Sequence, residues 1–148
     1  MATIVFNVAL GRVAYLASLP AANDALVMVP LESSGLVADS VMRDYDTLAD
    51  LLAGASNEQT SVGRKTLASV TVTVDDANDR VAVDAADVTW TAPTGSAIGA
   101  VVICYDPDTT GGTDADLVPL TKHDLSWTPD GNNFTLTISD FSRASSTA

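Results

Sequence analysis

Apolar and polar residues alternate with a period of two through Leu67-Ala68-Ser69-Val70-Thr71-Val72-Thr73-Val74, the pattern of a strand with one face on a core. Asp75–Asp79 has turn composition, and short strands are predicted beyond it at Arg80–Val83 and Ala86–Ala92. Ile98–Tyr105 is the most continuous β-branched run in the chain. Past a loop rich in Asp, Gly and Thr at Asp106–Asp116, strands are predicted at Leu117–Leu120, Leu125–Trp127 and Phe134–Ile138. The last of these is entered through the Asp130-Gly131 pair, a turn dipeptide. Short strands at about ten-residue spacing predict a β-sandwich or jelly roll.

The N-terminal part reads differently. Thr3–Leu10 predicts a short strand closed by Gly11, and Arg12–Leu19 fits strand or helix until Pro20 stops it. Ala25–Leu31 is a near-continuous apolar run, as in a strand buried on both faces. Pro30 cannot donate to a ladder, which places that end at an edge or an interface. One helix is predicted over 44–53, where Tyr45, Leu48, Leu51 and Leu52 share a face, Asp44 or Asp46 can cap, and Gly54 follows. The expected architecture is mainly β: a β-sandwich or jelly-roll-like domain at 63–143, preceded by an N-terminal arm or subdomain at 1–62 with strands and one short helix. A frayed tail is expected at 144–148.

Composition narrows the function. The 148 residues fit one compact domain, or one domain carrying an N-terminal arm, and leave little room for two independently folding ones. The formal net charge is −12, with 19 acidic residues against 7 basic ones. Nucleic acids and anionic membrane surfaces are both recognised through basic patches, so neither is an expected partner. No apolar run approaches the roughly 20 residues that span a bilayer. No basic n-region follows Met1, so synthesis in the cytoplasm without a signal peptide is expected. With a single cysteine, Cys104, no intramolecular disulfide can form.

Candidate chemistry is sparse. His123 is the one histidine, with Asp124 beside it and Ser126 three residues on, but no nucleophile-elbow pattern surrounds that serine. The expected role is a surface histidine at a strand start. Cys104 sits between Ile103 and Tyr105 and reads as a small core residue. One Cys and one His cannot supply a zinc site. Asp106, Asp108, Asp114 and Asp116 form a weak candidate calcium loop, with Gly111 at the sixth position. The twelfth position, where a bidentate Glu belongs, is Leu117. No catalytic residue and no cofactor is expected.

Several blocks resemble a family of small virion proteins of tailed bacteriophages, of the head decoration (cement) type. They are GRKTLASVTVTVDDANDRVAVDAAD (Gly63–Asp87), Val88-Thr89-Trp90-Thr91, VVICYDPDTTGGTDAD (Val101–Asp116) and Ile138-Ser139-Asp140-Phe141-Ser142-Arg143. AANDALVMVPLE (Ala21–Glu32) and RDYDTLADLLAG (Arg43–Gly54) are similar to the same family, so the resemblance runs through nearly the whole chain. It implies a structural protein without enzymatic activity or cofactor, a trimeric assembly, the major capsid protein as partner, and a place on the capsid exterior. The acidity agrees, because an outer surface avoids the repulsion a DNA-facing one would meet.

The expected function is therefore to bind the outside of a phage head and stabilise it. Expected interface residues are Leu26, Val27, Met28, Val29 and Leu31, with Tyr15 and Leu16 from the preceding segment; the same residues could instead complete the core. The alternative is a tail or head-fibre component, or a carbohydrate- or host-surface-binding module using Trp90, Trp127 and Tyr105 on sheet faces. Exposure of the two Trp rings separates the readings.

Overall fold

A computed structural model describes residues 3–54 and 56–146. The fold is mainly β, with several antiparallel sheets and three short helices among the described residues. The elements are β1 (Thr3–Val5), α1 (Val13–Ala17), β2 (Ala25–Glu32), α2 (Asp39–Met42), α3 (Leu48–Ala53), β3 (Lys65–Thr66), β4 (Thr71–Asp75), β5 (Arg80–Asp84), β6 (Val88–Trp90), β7 (Ile98–Asp106), β8 (Val118–Trp127), β9 (Phe134–Leu136) and β10 (Ser142–Ser145). A single 3-10 turn, Asn7–Ala9, follows β1. No helix among the described residues is long and apolar enough to cross a membrane.

The centre is a five-stranded antiparallel sheet in the order β1-β8-β7-β2-β3. β2 lies between β7 and β3 and pairs with β7 along its whole length, from Ala25↔Asp106 to Glu32↔Ile98. Side chains alternate across a strand, so the apolar run of β2 divides between two cores. Leu26 and Met28 join Val101, Ile103 and Leu120 on one face, against Val83 of β5, Trp90 of β6, Phe141 and α1. Val27, Val29 and Leu31 join Val102 and Cys104 on the other, against Phe6, Met42 of α2, and Leu48 and Leu51 of α3. The near-continuous hydrophobicity of Ala25–Leu31 is thus the signature of burial on both faces, as expected. Two smaller sheets, β10-β5-β4 and β6-β9, cover the first core, and α2 and α3 cover the second.

Several expectations change. The segment expected as an arm at 1–62 supplies the strand next to the middle of the main sheet, because an apolar strand this long is stable only when paired and covered on both sides. Leu117–Leu120 and Leu125–Trp127 are not separate strands. β8 is continuous from Val118 to Trp127, and the polar Thr121-Lys122-His123-Asp124 stretch runs through its middle. The predicted strand 67–74 is split: Ser69 has φ 51°, and only Thr71–Asp75 forms β4. Its valines are not buried as the pattern promised: Val70, ahead of β4, packs against the first core, but Val72 and Val74 are 36% and 70% exposed. The 44–53 helix starts later, at Leu48, where the Thr47 side chain accepts from the Asp50 N–H and takes the capping role expected of Asp44 or Asp46. The tail does not fray at 144: Ala144 and Ser145 pair with Val81 and Arg80. Thr147 and Ala148 of that tail lie outside the described residues.

Pro30 behaves as its chemistry requires. Its carbonyl accepts from the Gln59 N–H and the Glu32 N–H donates to Asn57 O, so the even-numbered residues of β2 turn their polar backbone groups away from β7. β3 covers only Val27 and Met28, so Pro30 needs no donor on that side.

Removing 1–62 should abolish folding and not merely trim the molecule, since both cores lose β2. A chain starting at Gly63 is expected to show no cooperative thermal transition and no near-UV circular dichroism. In the full chain, Leu31→Ala is expected to cost about 2–5 kcal/mol in urea unfolding.

Candidate functional site

The middle of β8 carries four successive polar residues, Thr121-Lys122-His123-Asp124. Successive residues of a strand face opposite ways, and here both directions lead into packed surroundings. Lys122 turns to the helix-covered face, where it is only 3% exposed. Its ammonium donates to Asp39 Oδ1 of α2 at 2.7 Å and to Asp124, two residues on along the same face. Burial lowers the Lys122 pKa, but the two carboxylates outweigh it, so the net shift is upward and the ammonium stays charged.

His123 faces the other core and is half-buried, not the surface residue expected. Thr3 Oγ1 of β1 lies 3.1 Å from Nδ1, and Thr121 Oγ1 lies 2.9 Å from Nε2. The ring meets Phe141 edge-on at 6.5 Å between centroids. Burial, with the Lys122 charge beside it, pushes the imidazole pKa down to about 4, and Asp124 only partly opposes this. At neutral pH the ring is uncharged, with each nitrogen beside a hydroxyl that can complement it as donor or acceptor. A cleft of about 220 Å³ opens here between the main sheet and the segment 136–141. Its walls are chiefly apolar, with Met28, Val101, Ile103 and Phe141 among them. Ser126 points to solvent elsewhere on β8. The group reads as a structural clamp joining β1, β8 and the C-terminal segment.

Cys104 is fully buried, and burial raises its thiol pKa, which removes the thiolate that reactivity needs. The aromatic residues are also spent on packing. Trp90 is 2% exposed and donates Nε1–H to Gly63 O at 3.2 Å. Trp127 is half-buried and stacks on Phe134 at 4.0 Å and 13°. The Tyr105 hydroxyl donates to Asp24 Oδ2 at 2.9 Å. No open aromatic platform of the kind a sugar binder uses is formed by these three.

The Asp loop is held by its own backbone. Asp106 Oδ1 accepts from the Asp108 N–H, and Asp108 Oδ1 from the Thr110 N–H and hydroxyl. Asp116 Oδ2 accepts from the Thr113 N–H and hydroxyl. These bonds hold the Asp108 and Asp116 carboxyls below their ordinary pKa. Gly112 permits the turn, since a Cβ there would sit 2.7 Å from the Asp108 carbonyl oxygen. Asp114 instead pairs with Arg64 at 2.6 and 3.0 Å, and Arg64 also grips Glu58 at 2.8 and 2.7 Å. Among the described residues no three His, Cys, Asp or Glu side chains are grouped to hold a metal ion. The four candidate ligands are thus not brought together.

Of the expected interface residues, Leu26, Val27, Met28, Val29, Leu31 and Leu16 are all buried within the chain, between 0% and 8% exposed. They complete the core, because β2 is covered on both faces. Tyr15 alone remains available, at 61% exposed. Among the described residues the other large apolar side chains that are exposed are Leu10, Val41, Val72 and Val74. The Lys122–Asp124 spacing was the one sequence signal for the ion cluster around the buried Lys122, since residues two apart share a strand face; Asp39 carried no such signal. No protein-family model, curated protein or solved structure matches the chain.

Two outcomes follow. A histidine whose folded pKa lies below its ordinary 6.5 contributes stability that is fully present above 6.5 and is lost as pH falls toward 4. Urea unfolding is expected to show a loss on the order of 2 kcal/mol between pH 7 and pH 4.5, and His123→Gln should flatten the profile in that window. Thermal melts in excess chelator and in millimolar calcium should coincide within a degree or so, because a ligand that stabilises must bind the native state.

Proposed function

We propose that this chain is a structural, non-enzymatic component of a tailed-phage virion, a decoration protein that binds the outer surface of the head and stabilises it. The observation that carries the reading is the resemblance of Ala21–Glu32, Arg43–Gly54, Gly63–Asp87, Val101–Asp116 and Ile138–Arg143 to that type of virion protein, in the same order along the chain. The chemistry of the side chains supports it. His123, Cys104 and the Asp loop are each occupied by packing or by local hydrogen bonds. The burial of Trp90 and the stacking of Trp127 on Phe134 weigh against the carbohydrate-binding alternative, which needs open rings.

The attachment surface in this reading differs from the one the sequence pointed to. With β2 buried, adhesion falls to exposed apolar residues on an acidic surface, such as Leu10 and Tyr15 around α1 and Val41 on α2. Assembly as a trimer belongs to the same reading, and with −12 per chain the subunit contacts must be apolar enough to outweigh repulsion.

Purified chain mixed with undecorated phage heads is expected to co-sediment with them and to raise the temperature at which they release DNA. Binding should persist at high salt, and Tyr15→Asp should weaken it about tenfold or more without lowering the melting temperature of the free chain. Binding to tails or fibres and not to heads would overturn the reading.

A further inference from the structure

We propose that the free edge of β4, together with the groove beside it, docks an extended segment of another protein that alternates apolar residues with lysine or arginine. β4 closes the sheet β10-β5-β4, and among the described residues no strand lies along its outer side. Its register with β5 is unbroken from Thr71↔Asp84 to Asp75↔Arg80. Among the described residues it is the longest strand with a free edge. Free edges are ordinarily blunted by charged side chains, proline or a bulge, and Thr71-Val72-Thr73-Val74 has none of these, its one charge being Asp75 at the end of the strand.

The face of β4 is also incomplete. α1 has five residues and packs over the start of the strand, leaving Val72 and Val74 36% and 70% exposed. Between α1 and β4 runs a groove of about 560 Å³, lined by Ala17, Ser18, Pro20, Leu67, Val70 and Val72. An added strand would satisfy the open backbone groups of Thr71–Asp75. Its alternate side chains would cover the valines and enter the groove.

Charge selects the occupant. The β4–β5 hairpin carries Asp75, Asp76, Asp79 and Asp84 against the single Arg80, which is already bound to Asp75 at 3.0 Å. A basic segment complements this surface, whereas a second copy of the chain would bring the same acidic hairpin and a further −12. The assignment rests on the strand edge and not on the proposed place in a virion.

Amide hydrogen exchange of the full chain tests it, alone and with two decapeptide probes, one alternating valine with lysine and one alternating valine with glutamate. The lysine peptide is expected to slow the outward-facing amides of Thr71–Asp75 roughly tenfold, and the glutamate peptide to leave them unchanged. Val74→Lys, at a side chain already largely exposed, should keep the melting temperature and weaken the lysine peptide by about tenfold. Equal protection by both peptides, or by neither at millimolar concentration, overturns the proposal. So does protection that grows with protein concentration without any peptide, which would assign the edge to a second copy.

Discussion

The pairing of β2 with β7 is the constraint on which the rest of the molecule depends. Two strands of eight and nine residues, apolar on both faces, cannot remain in water on either side. One face must receive the smaller sheets and α1, and the other must receive α2 and α3. Neither covering layer has an independent reason to exist. The helices have four to six residues, too few to persist alone, and the small sheets have two and three strands. Each is held by the apolar surface it covers.

A sheet covered on both faces leaves little solvent for the polar residues in its middle, so those drawn inward carry their partners with them. Lys122 has Asp39 and Asp124 on one side of β8, and His123 has Thr3, Thr121 and the edge of Phe141 on the other. The Arg64 fork to Glu58 and Asp114 does the same at the end of the sheet, tying the loop before β3 to the loop before β8. Among the described residues no buried side-chain nitrogen or oxygen lacks a partner. Their surroundings favour the charged form of Lys122 and the neutral form of His123.

The outside of the molecule is acidic with few apolar exceptions, and the exceptions fall where the covering layers run out. α1 is too short to cover β4, which leaves Val72 partly and Val74 largely exposed, and Leu10 before α1 and Tyr15 on its outer side stand in water. A long-range negative field limits nonspecific association, while small apolar areas confer short-range adhesion when a partner fits them.

The sequence by itself determined the mainly β character, the double burial of Ala25–Leu31, the edge character of Pro30 and the core position of Cys104, because each follows from local period or from the chemistry of one residue. It also placed a helix near Leu48–Ala53, though with the wrong cap, since Asp44, Asp46 and Thr47 differ little in local propensity. Only the tertiary structure decided that β2 is a core strand and not an adhesive arm, for a strand's pattern is the same whether its faces meet its own chain or another. Only it decided that β8 runs unbroken through Thr121–Asp124, because the counter-charge that admits Lys122 comes from Asp39, 83 residues away. The valines of β4 make the converse case. Their alternation promised a buried face, and α1 proved too short to provide one. Period-two patterning reports which side chains share a face, but what covers that face is set by distant segments of chain.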